Sequence, residues 1–65
     1  MPIIHVELLK GRSVEQKRLF AEAVIKAAAS ILSCAPEDVD VTYAEREAEN
    51  WWNRTHPPAQ AEEGR

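Results

Sequence analysis

Two residues in this 65-residue chain combine a reactive type with a telling position: Pro2 and Arg12. With Met1 attached, the Pro2 nitrogen is an amide and has no basic lone pair. With Met1 removed, it becomes a secondary amine at the start of a strand. Burial and nearby cations both disfavour an ammonium, so such an amine has a lowered pKa. A base poised near neutrality can take a proton and give it back. The plain alternative is a proline that merely follows methionine. Arg12 stands one residue before a predicted helix cap. A guanidinium there can grip a carboxylate through two parallel hydrogen bonds, helped by the positive end of the helix. The plain alternative is an exposed surface arginine, and position alone leaves both pairs of readings open.

The other candidates are weaker. Trp51 and Trp52 read as core or interface by type, and either could wall a pocket and keep its dielectric low. His5 reads as strand packing or a hydrogen-bond partner, because no companion ligands accompany it. Cys34 follows a helix and reads as a small inert hydrophobe. A single cysteine closes no internal disulfide and offers no zinc spacing, and it fits a reducing compartment. Arg46 and Arg54 read as surface charges, and either could reach the pocket of a neighbouring chain.

The elements that must position these residues are few. The stretch PIIHVELL is rich in branched residues and alternates, with Ile4, Val6 and Leu8 against His5 and Glu7. Ile3 and Leu9 fall on the His5 face, so both faces carry apolar residues and both want cover. Gly11 permits a sharp turn. Ser13 and Gln16 fit a capping box, which starts a helix over about Val14 to Leu32. Leu19 or Phe20, Ala23 or Val24, Ala27 or Ala28, and Ile31 share one face at helical spacing. Glu22 and Lys26 stand four apart in the favourable order. Pro36-Glu37-Asp38 predicts a short turn, and VDVTYAE a second alternating strand with Val39, Val41 and Tyr43 on one side. A crossover helix of this length lets the two strands lie parallel. The plan is strand, helix, strand. The sheet face away from the helix is expected to be open and apolar, which argues for self-association. After Glu47 the pattern fades. Pro57 and Pro58 exclude regular structure, and AQAEEGR reads as a solvated tail.

Bulk properties narrow the function. The length allows one domain, with residues 1–52 as its body and 53–65 as a partly irregular tail. A net charge of −3 argues against a nucleic-acid backbone or an anionic membrane as partner. The apolar run after Pro2 is broken by His5, Glu7 and Lys10, too short and polar for a leader or a span. A cytoplasmic location is expected.

The combination resembles the 4-oxalocrotonate tautomerase family. The matching pieces are Pro2, Gly11-Arg12-Ser13, Glu15-Gln16-Lys17, Pro36, Val39-Asp40-Val41, Glu45 and Asn50-Trp51. They span residues 2 to about 52. The resemblance implies an α+β fold: β-α-β subunits with two parallel strands and one crossover helix, assembling through the sheet. Pairs of subunits build hexamers, and a mixed oligomer is the alternative. It implies that Met1 is lost and that Pro2 is the general base. Pro2 would move a proton within a small unsaturated keto or dicarboxylic acid, Arg12 would bind a substrate carboxylate, and no metal or organic cofactor would be needed. Trp51 matches the family's pocket aromatic. Leu9 and Asp40 join it as substrate-binding or pocket residues.

Two departures redirect the reading. Where the family's well-known tautomerases carry a second arginine, this chain carries Asp40. A carboxylate cannot stabilise a developing enolate oxygen, and it raises the pKa of a nearby amine. The family's glycine-rich segment after the aromatic is replaced by WNRTHPP. The expectation is an isomerase with Pro2 as base. The alternatives are a hydratase, dehalogenase or decarboxylase acting on a related small acid, in which Asp40 orients water, or a non-catalytic subunit of an oligomer.

Overall fold

The computed structural model describes residues 2–55; the proposed tail from residue 56 onward, with Pro57, Pro58 and AQAEEGR, lies outside the described residues. The chain runs through β1 (Ile3–Leu9), α1 (Val14–Leu32), a short 3-10 turn (Pro36–Asp38), β2 (Asp40–Arg46) and a second 3-10 turn (Ala48–Asn50). β1 and β2 pair in parallel, from Ile3 opposite Asp40 to Leu9 opposite Arg46. This is the expected β-α-β unit, with α1 as the crossover.

Local chemistry sets the boundaries. The Ser13 hydroxyl accepts the Gln16 amide at 3.0 Å, and the Gln16 side chain accepts the Ser13 amide at 2.9 Å. This reciprocal cap stabilises the helix start by about 1 kcal/mol. Just before it, Gly11 takes φ 123°, a conformation that side-chain-bearing residues rarely adopt. At the other end Ser33 turns left-handed, and the Cys34 amide donates to the Ala29 carbonyl at 3.1 Å. Pro36 then prevents any continuation of the helix.

The helix is rotated from the expected setting. Lys17, Ala21, Val24, Ile25, Ala28 and Ala29 are its half-buried positions. Of the predicted face only Val24 and Ala28 are among them, while Leu19, Phe20 and Ile31 stand exposed. The reason is width. The apolar arc of α1 exceeds what two strands can cover, so small alanines and the Val24–Ile25 pair pack inward and the bulky flank stays out. The expected Glu22–Lys26 pair is also absent. Arg18 reaches Glu22 at 2.7 Å and Glu15 on its other side, using its planar fork for both.

The sheet has two different faces. Ile4, Val6, Leu8, Val41 and Tyr43 are half-buried toward the helix, and Val39, 5% exposed, is the most buried residue described. The Tyr43 hydroxyl donates to the Lys17 carbonyl at 2.7 Å, and Lys17 pairs with Glu45 at 3.1 Å, which ties α1 to β2.

The opposite face is open, as expected, but mixed rather than apolar. His5 hydrogen-bonds Thr42 at 3.1 Å, and Arg46 pairs with Glu7 at 3.3 Å. The exposed large apolar side chains on that face are Ile3 and Leu9 at its ends. Alternation delivered His5, Glu7, Thr42 and Arg46 to one side, where polar cross-strand pairs satisfy one another. Further uncovered apolar surface lies on the Phe20–Ile31 flank of α1. Both outer edges of the two-stranded sheet also lack a partner strand among the described residues. No helix among those residues is long and apolar enough to cross a membrane.

Candidate active site

Pro2 sits half-buried immediately before β1. Its carbonyl accepts the Asp40 amide at 3.1 Å, so the starts of the two parallel strands are fastened together. Asp40 is exposed and stands opposite Ile3. These two residues form one end of the sheet.

Leu9, Arg12 and Trp51 belong to the other end. Gly11 turns the chain after β1, and Arg12 falls between that turn and the Ser13 cap. Arg12 helps to line a concavity of about 270 Å³ with Val6, Leu8, Phe20 and Tyr43, beside Gln16 and Lys17. Among the described residues, Lys10, Lys17, Arg18 and Arg46 have acidic partners, while Arg12, like Lys26 and Arg54, has none; of these three only Arg12 lines this concavity. An unpaired fork beside an apolar wall retains its donors for an incoming carboxylate.

A second concavity of about 300 Å³ opens at the same end, lined by Glu7, Arg46, Asn50, Trp51 and Trp52. Several contacts shape it. The Lys10 amide donates to the Arg46 carbonyl at 2.9 Å, and the Lys10 ammonium pairs with Glu47 at 2.8 Å. The hydrogen bond and negative charge of Glu47 raise the Lys10 pKa above its ordinary 10.5. The Trp51 amide closes the last 3-10 turn on the Ala48 carbonyl, and the Trp52 indole donates to the Glu49 carbonyl at 2.6 Å. Leu9 lines neither concavity; it is 43% exposed, opposite Arg46.

Of the sequence-derived candidates, then, Leu9, Arg12 and Trp51 share one end, and Pro2 and Asp40 share the other. β1 has seven residues, and at about 3.3 Å per residue its ends lie some 20 Å apart. One small acid cannot touch Pro2 and Arg12 of the same chain. Sequence reasoning offers Arg46 both as a surface charge and as a residue that reaches a neighbouring chain's pocket. The signal for its location was the parallel register, which sets it across from Leu9. Among the described residues no group of His, Cys, Asp and Glu is arranged to hold a metal.

The sequence matches the family described as "Tautomerase enzyme" over residues 2–58. The chain belongs to the tautomerase family. Within it, this tautomerase is 39% identical over 51 residues to a probable tautomerase of Halalkalibacterium halodurans, a match covering 78% of this chain and 84% of the relative. Its fold superposes on a 4-oxalocrotonate tautomerase isozyme of Methylibium petroleiphilum with a TM-score of 0.86 at 31% identity, covering 98% of this chain and 100% of that one. It is also similar to a heterohexameric 4-oxalocrotonate tautomerase of Chloroflexus aurantiacus, with a TM-score of 0.84 at 28% identity, covering 92% and 97% of the respective chains. The two-ended distribution of candidate residues is therefore found in a tautomerase subunit with the family's β-α-β fold.

Proposed function

We propose that this tautomerase is an isomerase of a small unsaturated keto or dicarboxylic acid, with Pro2 as base and Arg12 as carboxylate ligand. The observation that carries the reading is the unpaired Arg12 guanidinium beside an apolar wall. A substrate carboxylate entering there gains a charged, bidentate partner without displacing an existing one. Loss of Met1 frees the Pro2 amine. That amine takes a proton from a carbon next to the substrate carbonyl, leaving a dienolate. The resulting ammonium returns the proton to a carbon further along the conjugated chain. The double bond moves and no atom is gained or lost.

The working unit in this reading is an oligomer. Pro2 of one copy meets Arg12, Leu9 and Trp51 of another, which resolves the 20 Å separation within one chain. The exposed flank of α1 and the unpaired sheet edges supply surface for such contacts. A hexamer is the assembly we favour, and the heterohexameric relative from Chloroflexus aurantiacus supports it.

A second reading draws on Asp40. Its amide is bonded to the Pro2 carbonyl, so a carboxylate travels with the base in every copy. A carboxylate beside an amine can orient water for addition to a conjugated acid, as a hydratase or dehalogenase would use it.

The test begins with the intact mass of the purified protein, which is expected to lack Met1. Ketonisation of the enol of a 2-oxo acid is then followed by ultraviolet absorbance in the native protein and in Pro2→Ala. The variant is expected to lose roughly a hundredfold or more in kcat. A mass that retains Met1, or an undiminished Pro2→Ala, removes proline as the base.

A further inference from the structure

We propose that Arg46 is a second substrate-binding cation, and that it supplies the positive charge that position 40 does not provide in this chain. The inference rests on the isomerase reading above.

Position comes first. Arg46 closes β2 directly opposite Leu9, at the same end of the sheet as Arg12 and Trp51. Asp40 stands at the far end, fastened to Pro2. When Pro2 of one copy approaches Arg12 of another, it brings Asp40 with it and meets Arg46. Arg46 therefore offsets the very carboxylate that replaces a cation.

Surroundings come second. The concavity that Arg46 lines is also lined by Asn50, Trp51 and Trp52. Flat aromatic walls suit a planar, conjugated acid, and a guanidinium fork suits its carboxylate or its carbonyl oxygen. The lining here is more polar than that of the Arg12 concavity, with Glu7, Arg46 and Asn50 beside the two tryptophans, so it suits the charged end of a small acid rather than an apolar one.

Availability comes third. Arg46 makes one contact to Glu7, from a single terminal nitrogen at 3.3 Å, and both side chains are about half exposed. Arg18, by contrast, is engaged on both sides by Glu15 and Glu22. An exposed pair of the Arg46–Glu7 kind is weak and readily exchanged. Glu7 has His5 as another neighbour at 3.6 Å, so it is not stranded when Arg46 turns to a ligand. Glu7 holds the fork near the concavity until an acid displaces it.

The experiment is a tryptophan-fluorescence titration of the assembled protein lacking Met1, with two probes. Trans,trans-muconate carries two carboxylates; sorbate has the same carbon skeleton length and carries one. Arg46→Gln is expected to weaken muconate roughly tenfold or more, and sorbate, which Arg12 can hold alone, much less. Arg46→Lys keeps the charge but not the fork and is expected to fall between. If Arg46→Gln binds muconate like the native protein, or weakens both acids equally, the inference is overturned while the isomerase reading stands. If Arg46→Gln fails to assemble in sedimentation, Arg46→Lys decides, and unchanged muconate binding there overturns the inference. A native protein that binds neither acid overturns the small-acid reading together with this one.

Discussion

The backbone amide of Asp40 donates to the carbonyl of Pro2 at 3.1 Å, which makes the candidate base and an acidic residue permanent neighbours. The relationship is built by main-chain atoms of two parallel strands, so side-chain substitution leaves it in place. It lets the two enzymatic readings be separated at one position.

Asp40→Asn removes the charge and keeps the size. In the isomerase reading, losing a carboxylate withdraws support from the Pro2 ammonium and lowers the amine pKa. More of the amine is then unprotonated at a given pH, so the acidic limb of the kcat/KM profile moves to lower pH and isomerisation survives. In the water-activating reading, hydration of a conjugated acid falls by about a hundredfold or more, as expected for loss of a general base. Rate–pH profiles of the native protein and the variant, measured on an enol substrate and on a conjugated acid, distinguish the two.

Arg12→Ala tests the carboxylate grip. Arg12 has no acidic partner among the described residues, so its removal strands no other charge and leaves the Ser13 cap intact. The fold and assembly are expected to persist by circular dichroism and sedimentation. KM for a carboxylate substrate is expected to rise roughly tenfold to a hundredfold, the worth of a charge-assisted bidentate contact. An unchanged KM takes Arg12 out of the site.

The Lys10–Glu47 pair gives a pH prediction. The hydrogen bond and charge of Glu47 raise the Lys10 pKa from 10.5. A group whose pKa is raised on folding contributes its full stabilisation below the ordinary value and loses it as pH climbs through the raised one. The clip between the end of β1 and the segment leading to Trp51 is therefore intact at neutral pH and fades only in the alkaline range above 10.5. Lys10→Met near neutrality is expected to reproduce the alkaline state. Tryptophan emission shifts as residues 47–52 loosen, with little change in the unfolding midpoint, since an exposed pair is weak. Salt at about 1 M screens the pair and brings the native emission toward that of the variant. Identical emission from both proteins at low salt refutes the clip.

The parts of this fold that short-range rules govern were legible in the sequence. The Ser13–Gln16 box fixed the start of α1, Pro36 barred its continuation past Ser33, and alternation assigned the strand faces of Val39, Val41 and Tyr43 correctly. The helix setting was not legible, because the apolar arc of α1 is continuous from Val24 round to Phe20 and Ile31. Which part of it turns inward depends on the width of the sheet. The polar network of His5, Glu7, Thr42 and Arg46 was hidden for a related reason: each residue is ordinary alone, and only the parallel register brings them together. The same holds for the site. Pro2 and Arg12 could be named from type and position, but their placement at opposite ends of β1 comes from the strand itself.

That placement yields the sharpest prediction. If each site takes Pro2 from one copy and Arg12 from another, two defective variants can repair each other. Pro2→Ala lacks the base and keeps the carboxylate ligand; Arg12→Ala has the reverse defect. Each alone is expected to be nearly inactive at low substrate concentration. Unfolded together in equal amounts and refolded, they form mixed oligomers of symmetric design. A site built from the Pro2 of an Arg12→Ala copy and the Arg12 of a Pro2→Ala copy is intact. Random mixing makes about a quarter of all sites intact in this way. Activity is therefore expected to recover to about a quarter of the native value, against a few per cent for either variant refolded alone. A site confined within one chain allows no such repair, because every copy then carries one defect or the other. Recovery no greater than the sum of the two variants would mean that Pro2 and Arg12 do not meet across a subunit boundary. The 20 Å length of β1 would then remove one of them from the catalytic machinery.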